Sequence, residues 1–166
     1  MNYTTKWLND KSRVEELVDF FMTHKTDSYI SHSEIMYGRA LDSHQWSPDL
    51  KAVFTNQLMS DYDYNEHSKL NILIAENEEE KIVGMLVFNI INSPFKKYAI
   101  LEDMLLDAAV RGQSLGSMLL EEVIRESKSW EVSFIMLESG VDNHGAHHFF
   151  NKYGFQKVSE SYMLTL

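Results

Sequence analysis

The chain has 166 residues, a length at which we expect a single domain over residues 1–166. Of these residues 44% are hydrophobic and 24% are charged, which are the proportions of a soluble globular protein. Its 25 acidic and 15 basic residues give a formal net charge of -10, which disfavours a nucleic-acid surface and an anionic membrane and fits a cationic partner such as an amine. Cysteine is absent, which excludes disulfide and thiolate chemistry, and the polar N-terminal segment does not have the pattern of a signal peptide, so we expect a cytoplasmic protein.

The first part of the chain predicts one strand and two helices. Residues 2–8 are expected to form a short edge strand. Ser12 then precedes RVEELVDFFMTH, whose apolar residues recur at helical spacing, and Glu15 completes a capping box with Ser12. The region 25–48 is interpreted as irregular, and Pro48 at its end is expected to open a second helix.

The middle of the chain predicts a sheet. Two apolar runs, 70–76 and 81–91, flank a charged turn and are expected to pair as an antiparallel hairpin. A third strand over 98–108 is followed by a helix to about Ser127 and by a short buried strand over 132–139. Strands joined through a helix pair in parallel, so the last two strands should be parallel neighbours.

The end of the chain predicts one more helix and one more strand. Asp142 or Asn143 is expected to cap the helix and Gly154 to end it, and residues 155–166 are expected to return as a terminal strand. The whole order of elements predicts an α/β (α+β) fold with a mixed, largely antiparallel central sheet and helices on both of its faces.

One short motif lies between the third strand and the helix that follows it. Arg-Gly-Gln-Ser-Leu-Gly-Ser, residues 111–117, places glycines and a helix start where unpaired backbone N–H groups and the helix dipole favour an anion. The motif lacks the lysine of a P-loop and the three glycines of a dinucleotide-binding fingerprint. It therefore predicts a phosphate cradle, or else a tight strand-to-helix turn with a serine cap.

A second motif follows about thirty residues later, in LESGVDNHGAHHFFNKYGF. It orders six residues in a recognisable pattern: Asn143, Ala146, Phe149, Phe150, Gly154 and Phe155. Together with the first motif, it resembles the GNAT superfamily of N-acetyltransferases over roughly residues 70–166. The resemblance implies a single-domain acetyltransferase fold with acetyl-CoA as co-substrate and no metal.

The resemblance also implies roles for individual residues. The end of the strand predicted over 98–108 would offer backbone groups to the pantetheine arm and the thioester, through Met104, Leu105 and Leu106. The diphosphate would be held by the first motif, comprising Arg111, Gly112, Gln113, Ser114, Leu115, Gly116 and Ser117. Asn143 would contact the cofactor at the last helix, and Phe150 takes the place where the family often has a tyrosine.

Two residues depart from the family pattern. Ser114 replaces a glycine, which is compatible with phosphate binding if its backbone is not strained. Phe150 replaces a tyrosine that often donates a proton to the departing thiolate, and phenylalanine has no proton to donate. Tyr153 lies on the same helix, but it comes three residues after Phe150 and therefore points about 60° away from it around the helix axis.

Transfer to an amine requires a proton acceptor, because amines are largely protonated near neutral pH. Glu102 and Asp103 lie on the strand before the phosphate motif; neighbouring strand residues face opposite sides, so we expect only one of them to face the acceptor, with a slight preference for Glu102. Glu138 is a weaker candidate. The acceptor wall is expected in the aromatic segment before Pro48, from Tyr29, His32, Tyr37 and Trp46.

Two further patterns fail as metal sites. His144 and His148 share a helix face, but no third ligand is evident. Asp61–Asn65 begins like a calcium loop, but Glu66 stands where the loop needs glycine.

The predicted function is acetyl-CoA-dependent transfer of an acetyl group to a primary amine of a small molecule or peptide, by direct attack in a ternary complex. Phe150 keeps open a second function, that of a non-catalytic acyl-CoA-binding module. Transfer to oxygen, or of a longer acyl group, is a third. A homodimer through the terminal strand is also open.

Overall fold

The computed structural model of the chain describes residues 2–60 and 68–166. Asp61–Asn65 lies outside the described residues. In chain order the elements are β1 (Thr4–Leu8), α1 (Val14–His24), a 3₁₀ turn (Asp27–Tyr29), α2 (His32–Met36), β2 (Ala40–Asp42), β3 (Gln45–Trp46), α3 (Leu50–Met59), β4 (Ser68–Glu76), β5 (Ile82–Asn92), β6 (Lys97–Leu106), another 3₁₀ turn (Ala108–Val110), α4 (Leu115–Ser129), β7 (Ile135–Leu137) and α5 (His144–Lys152).

These elements form two compact units. The sheet unit contains Met1–Lys25 and Lys51–Leu137, and the second unit contains Thr26–Leu50 and Glu138–Leu166. The sheet unit holds all five strands of the central sheet, and the second unit holds α2, the β2–β3 hairpin and α5.

The central sheet has the strand order β1-β4-β5-β6-β7. The first four strands pair antiparallel, and β6 and β7 pair in parallel. The parallel pair is joined through α4, as such a crossover requires. The predicted mixed, largely antiparallel sheet is therefore confirmed, and β1 is the predicted edge strand.

The core of the sheet unit lies on both faces of β5. Seven consecutive residues, from Ile82 to Phe88, are buried, and since neighbouring strand residues point to opposite faces, both faces are covered. Helices α1 and α4 both pack against β5. On the α4 face, a Cβ added at Gly84 would lie 2.7 Å from Leu106 Cδ2 and 3.3 Å from Leu119 Cδ1. Glycine at this position lets α4 lie close to the strand.

The predicted cap of α1 is wrong. The helix begins at Val14 with Arg13 at its N-cap position, and no side-chain cap is formed there among the described residues. Ser12 instead donates its hydroxyl and its backbone N–H to the carboxylate of Asp10. A local Asx turn therefore uses the serine that the capping box needed.

The irregular stretch predicted over 25–48 is also wrong in part, because it contains a helix and a hairpin. Ser31 and Glu34 form a capping box at the start of α2. The Ser-x-x-Glu signal for this box is present in the sequence. The helix has only five residues, so it carries too little periodicity to reveal itself.

The terminal strand predicted over 155–166 is wrong as well. The described residues there form no strand, and β7 is limited to three residues. Large apolar side chains of this segment are exposed, namely Val158, Tyr162, Met163, Leu164 and Leu166. Because three of them are consecutive rather than alternating, the segment has no single apolar face to bury against a sheet.

Candidate active site

The loop that links β6 to α4 has an unusual backbone. The backbone of Arg111 is extended. Ser114, three residues later, has φ 64°, in the left-handed region. Gly112 has φ 78°. Left-handed residues occur in the anion-binding concavities that successive backbone N–H groups form. Glycine adopts this conformation freely, whereas Ser114 does so at a cost.

The first turn of α4 supplies the donors of this cradle. The Met118 N–H donates to the Ser114 carbonyl oxygen at 3.0 Å, which is the bond that closes the first turn. The N–H groups of Leu115, Gly116 and Ser117 therefore precede any acceptor within α4, a helix that is described throughout. With the helix dipole behind them, these donors suit a diphosphate.

The Ser114 side chain does not use these donors. Across the described residues around it, Ser114 makes no side-chain capping bond to α4, although it occupies the N-cap position. The alternative of an ordinary turn closed by a serine cap is therefore not what the structure forms. The first turn is left open to an external anion.

Side chains of the loop hold it against the sheet unit. Arg111 Nη2 donates to the Leu106 carbonyl oxygen at 3.2 Å, and Gln113 Nε2 donates to the Ala109 carbonyl oxygen at 3.3 Å. The Tyr3 hydroxyl donates to Gln113 Oε1 at 2.9 Å. These contacts link the cradle to the end of β6 and to the residue before β1.

A β-bulge lies on β6, upstream of the loop that leads to α4. Val87 of β5 is opposite Asp103, but Phe88 is opposite Leu101, so Glu102 is the additional residue. Bulges redirect side chains and are common next to active sites. Glu102 is partly exposed, whereas Asp103 is 1% exposed. Of the two predicted catalytic carboxylates, Glu102 can therefore be reached from solvent and Asp103 cannot.

The pairing of β6 with β7 ends just before the bulge residue Glu102. The last register pair of β6 and β7 is Leu101 with Leu137, whereas β6 continues to Leu106. Met104 and Leu106 are partly exposed, and Leu105 is 6% exposed. A ligand arm along this stretch would therefore reach Leu105 only through its backbone.

The last helix places Asn143 and Phe150 in the second unit. Asn143 Oδ1 accepts a hydrogen bond from the Ala146 N–H at 3.4 Å and caps α5, as the sequence predicts. Phe150 is buried, with its ring centroid 5.3 Å from that of Phe149 and 5.5 Å from that of Phe155. Phe150 therefore anchors α5 through packing between aromatic rings.

Two of the predicted acceptor residues lie together in the second unit. The ring centroids of Tyr29 and Trp46 are 6.3 Å apart, and both side chains are partly exposed. Tyr37 is the C-cap residue of α2 and is 49% exposed. The structure thus brings Tyr29 and Trp46 together and leaves Tyr37 at the end of the helix.

A polar cluster also forms in the second unit. His32 Nδ1 lies 3.0 Å from Glu138 Oε2, and the Ser33 hydroxyl donates to the same oxygen. The sequence singled out His32 and Glu138 separately, but it did not connect them and missed Ser33. A contact between residues about a hundred positions apart leaves no signal in a single sequence.

Neither a metal-binding cluster nor a membrane-spanning helix is found in the described parts of the chain. Residues 2–60 and 68–166 contain no group of three or more His, Asp or Glu side chains placed to hold a metal ion. The rings of His144 and His147 lie 5.9 Å apart without forming such a group. Within the same residues, none of the helices is long and apolar enough to cross a membrane.

Comparisons with known proteins identify the class. The model of the acetyltransferase (GNAT) family matches residues 36–155, which is more than half of the chain, so the chain belongs to that family. No curated protein sequence matches the chain.

Solved structures share the fold at low identity. A ribosomal-protein-alanine N-acetyltransferase from Brucella melitensis biovar Abortus 2308 superposes with a TM-score of 0.71 and 12% identity, covering 99% of this chain and 100% of its own. A transcriptional regulator from Bacillus halodurans C-125 gives 0.70 and 18%, covering 99% and 100%. Glucosamine-6-phosphate N-acetyltransferase from Arabidopsis thaliana gives 0.65 and 17%, covering 99% of each chain. The predicted fold and family are therefore confirmed.

Proposed function

We propose that the protein is an acetyl-CoA-dependent N-acetyltransferase, with residues 1–166 as one acetyltransferase domain. It transfers an acetyl group to a primary amine of a small molecule or peptide by direct attack in a ternary complex. The observation that carries this proposal is the cradle of Gly112 to Ser117, where a left-handed loop opens onto the free first turn of α4. Its position after β6 in a GNAT-family chain fits the diphosphate of coenzyme A.

The donor set fits that group chemically. The N–H groups of Leu115, Gly116 and Ser117 are neutral donors aligned with a helix dipole, which bind a diphosphate without requiring a cluster of lysines. A side chain at Gly112 would find nothing within 4 Å, so the loop leaves open space at this point. When bound, acetyl-CoA supplies the acetyl group as an activated thioester. Met104, Leu105 and Leu106 would line its pantetheine arm.

Glu102 is the proposed proton acceptor on the sheet side of the site. Its position at the bulge and its partial exposure give Glu102 access to a bound amine. Asp103, which is only 1% exposed, lacks that access. We therefore assign Asp103 a supporting role within the core. Asn143 and Phe150 would contact the cofactor from α5, with Tyr29, Tyr37 and Trp46 forming the wall for the acceptor.

The absence of an ionisable group at Phe150 favours one alternative function, that of a non-catalytic acyl-CoA-binding module. Phe150 packs between Phe149 and Phe155, so its role in α5 is satisfied by packing alone. Such a module would bind acetyl-CoA through the same cradle but would release no coenzyme A.

The acceptor is proposed only as a primary amine. The two named N-acetyltransferases among the similar structures act on an alanine of a ribosomal protein and on glucosamine 6-phosphate, so the shared fold does not choose between a peptide and a sugar amine. We also propose a cytoplasmic location, no nucleic-acid or membrane partner, and a homodimer that buries the exposed apolar residues of 155–166.

Release of coenzyme A tests the proposal. The protein is incubated with acetyl-CoA and, in turn, tyramine, lysine, glucosamine 6-phosphate and a peptide with an N-terminal alanine, and the free thiol is measured. Amine-dependent thiol release, with the acetylated amine seen by mass spectrometry, is the expected result. Binding of acetyl-CoA by calorimetry without release for any amine would instead support the binding module.

A further inference from the structure

The second unit contains a polar cluster that the proposed function does not use. Glu138 Oε2 accepts from the Ser33 hydroxyl and lies 3.0 Å from His32 Nδ1. Because the carboxylate can only accept, we assign the proton of the ring to Nδ1, which leaves Nε2 as the accepting nitrogen. The His32 and Glu138 side chains are 38% and 40% exposed, so a ligand can reach them.

The α2 side of this cluster is held rigidly. Ser31 donates its backbone N–H and its hydroxyl to Glu34 Oε2, each at 2.7 Å. Glu34 and Arg39 are 3% and 6% exposed, and Arg39 Nη1 lies 3.9 Å from Glu34 Oε1. This buried pair, together with the capping box, fixes the turn that carries His32. Rotamers locked by supporting contacts are what a positioned proton acceptor requires.

The Glu138 side is held by a close backbone contact. Gly140 is buried, and a Cβ added there would collide with the carbonyl oxygens of Ser28 and Ile30, the second at 2.5 Å. The segment that begins at Glu138 therefore packs backbone to backbone against the segment that leads to His32. Two independent contacts thus hold the carboxylate and the imidazole together.

We propose that His32 Nε2 takes the proton from the ammonium form of the acceptor, with Glu138 as the residue that positions His32. This rests on the proposed function and adds a proton acceptor to it. The arrangement of a carboxylate on Nδ1 fixes the tautomer and orients Nε2, as in carboxylate–histidine pairs generally. The Ser33 hydroxyl donates a hydrogen bond to the same carboxylate oxygen.

The proton balance of this step is simple. The ammonium R–NH₃⁺ gives one proton to neutral His32, which leaves R–NH₂ with a free electron pair and a protonated imidazole. The half-exposed imidazole then returns the proton to water. Histidine is the side chain whose ordinary titration range is nearest to neutral pH, so it suits this task better than a carboxylate.

The charged groups around His32 support this assignment. Glu138 contacts it from the segment after β7, and Glu34 on α2 directs its carboxylate to Ser31 and Arg39 instead.

The test compares His32→Gln with the parent, using whichever amine of the panel the parent acetylates fastest. At about pH 7 we expect kcat/KM for the amine to fall about 100-fold, since a positioned base contributes about 10²–10⁴-fold. Toward about pH 9.5 the deficit should narrow, because the amine then loses its proton to water. The acetyl-CoA Kd should be unchanged. A merely structural role of His32 would give a deficit independent of pH.

His44→Gln is the matched control, because His44 is exposed in the β2–β3 turn and belongs to no part of the proposed site; we expect parent rates. If His32→Gln does not fold, Glu138→Gln replaces it, with an expected loss of about tenfold. Parent rates at about pH 7 for the folded variant used, or a deficit that does not narrow with pH, overturn this inference alone. A parent protein that acetylates no amine overturns the proposed function, and the inference with it.

Discussion

The cradle at the start of α4 and the polar cluster around Glu138 are built from different chemical groups. The cradle consists of backbone N–H groups, fixed by the left-handed residues Gly112 and Ser114. The cluster consists of side chains, brought together from α2 and from the segment after β7. A site made of backbone depends on conformation, whereas a site made of side chains depends on residue identity.

This difference explains how the chain keeps a family feature while departing from its pattern. Ser114 replaces a glycine, yet the backbone still adopts φ 64°, so the donors keep their direction. Phe150 replaces a tyrosine, and there the side chain was the functional group. The first departure is expected to cost stability, and the second changes the chemistry available.

The largest effect is expected from a charge placed in the cradle. A Cβ added at Gly112 meets nothing within 4 Å, so Gly112→Glu can be accommodated, and its carboxylate repels a bound diphosphate. Near a protein surface, two unit charges about 4–5 Å apart repel by about 3–4 kcal/mol, so we expect acetyl-CoA to bind at least about 100-fold more weakly by calorimetry. Gly154→Glu is the control, with φ 86° and open space in the second unit. Equal weakening in both variants would contradict a specific cradle.

A second variant disrupts the side-chain cluster instead. Gly140→Ala forces a methyl group against backbone oxygens of Ser28 and Ile30, which cannot move aside as side chains do. We expect a loss of about 1–3 kcal/mol in the free energy of unfolding and a higher KM for the amine. The acetyl-CoA Kd should not change, since the cradle lies elsewhere in the chain.

Gly145→Ala is its matched control. Gly145 lies within α5 with nothing near its added Cβ, so alanine should stabilise the protein by about 0.5–1 kcal/mol. Thermal unfolding should therefore show a lower melting temperature for Gly140→Ala and a higher one for Gly145→Ala than for the parent. A Gly140→Ala protein as stable as the parent would mean that the segment after Glu138 is not held as described.

A smaller effect of opposite sign is expected at Ser114. Glycine removes the left-handed penalty of about 1–2 kcal/mol but adds chain entropy to the unfolded state, so Ser114→Gly should raise the free energy of unfolding by about 0.5 kcal/mol. Ser117→Gly, inside the first turn of α4, should lower it by about 0.5–1 kcal/mol. Denaturant titrations of both variants check this. Destabilisation by Ser114→Gly would show that the serine side chain supports the loop.

The smallest effect concerns acid stability, away from both sites. The hydrogen bond from Arg13 lowers the pKa of Glu16. A lowered folded-state pKa means that the contribution is present above the ordinary range of a glutamate and is lost as the pH falls through and below about 4. Glu16→Gln should therefore cost at most about 1 kcal/mol at neutral pH and nothing at low pH, since the pair is exposed. Glu79→Gln, in the exposed β4–β5 turn, should show no such pH-dependent difference.

The sequence predicts the sheet unit better than the second unit. Strands β4 to β6 are long and apolar, and the Arg-Gly-Gln-Ser-Leu-Gly motif opens α4 where predicted. Long regular elements repeat their signal over many residues, so a single sequence reveals them. The cap at Asn143 and the helix end at Gly154 were also predictable, because each depends on one local residue type.

The second unit is hard to predict because short elements and distant contacts form it. Helix α2 has five residues, and β2 and β3 have three and two, which are too few to show a period. In the sheet unit, the bulge at Glu102 is also hidden from the sequence, because buried and partly exposed residues alternate regularly along β6. The contact of His32 with Glu138 depends on the folded path of the whole chain.

The most direct measurement compares coenzyme A with pantetheine, which lacks the diphosphate and the 3′-phosphoadenosine attached to it, by calorimetry on the parent protein. If the first turn of α4 holds the diphosphate, coenzyme A binds and pantetheine binds at least about 100-fold more weakly, a difference of about 2.7 kcal/mol. Pantetheine binding as tightly as coenzyme A, or no binding of coenzyme A at all, would contradict the account.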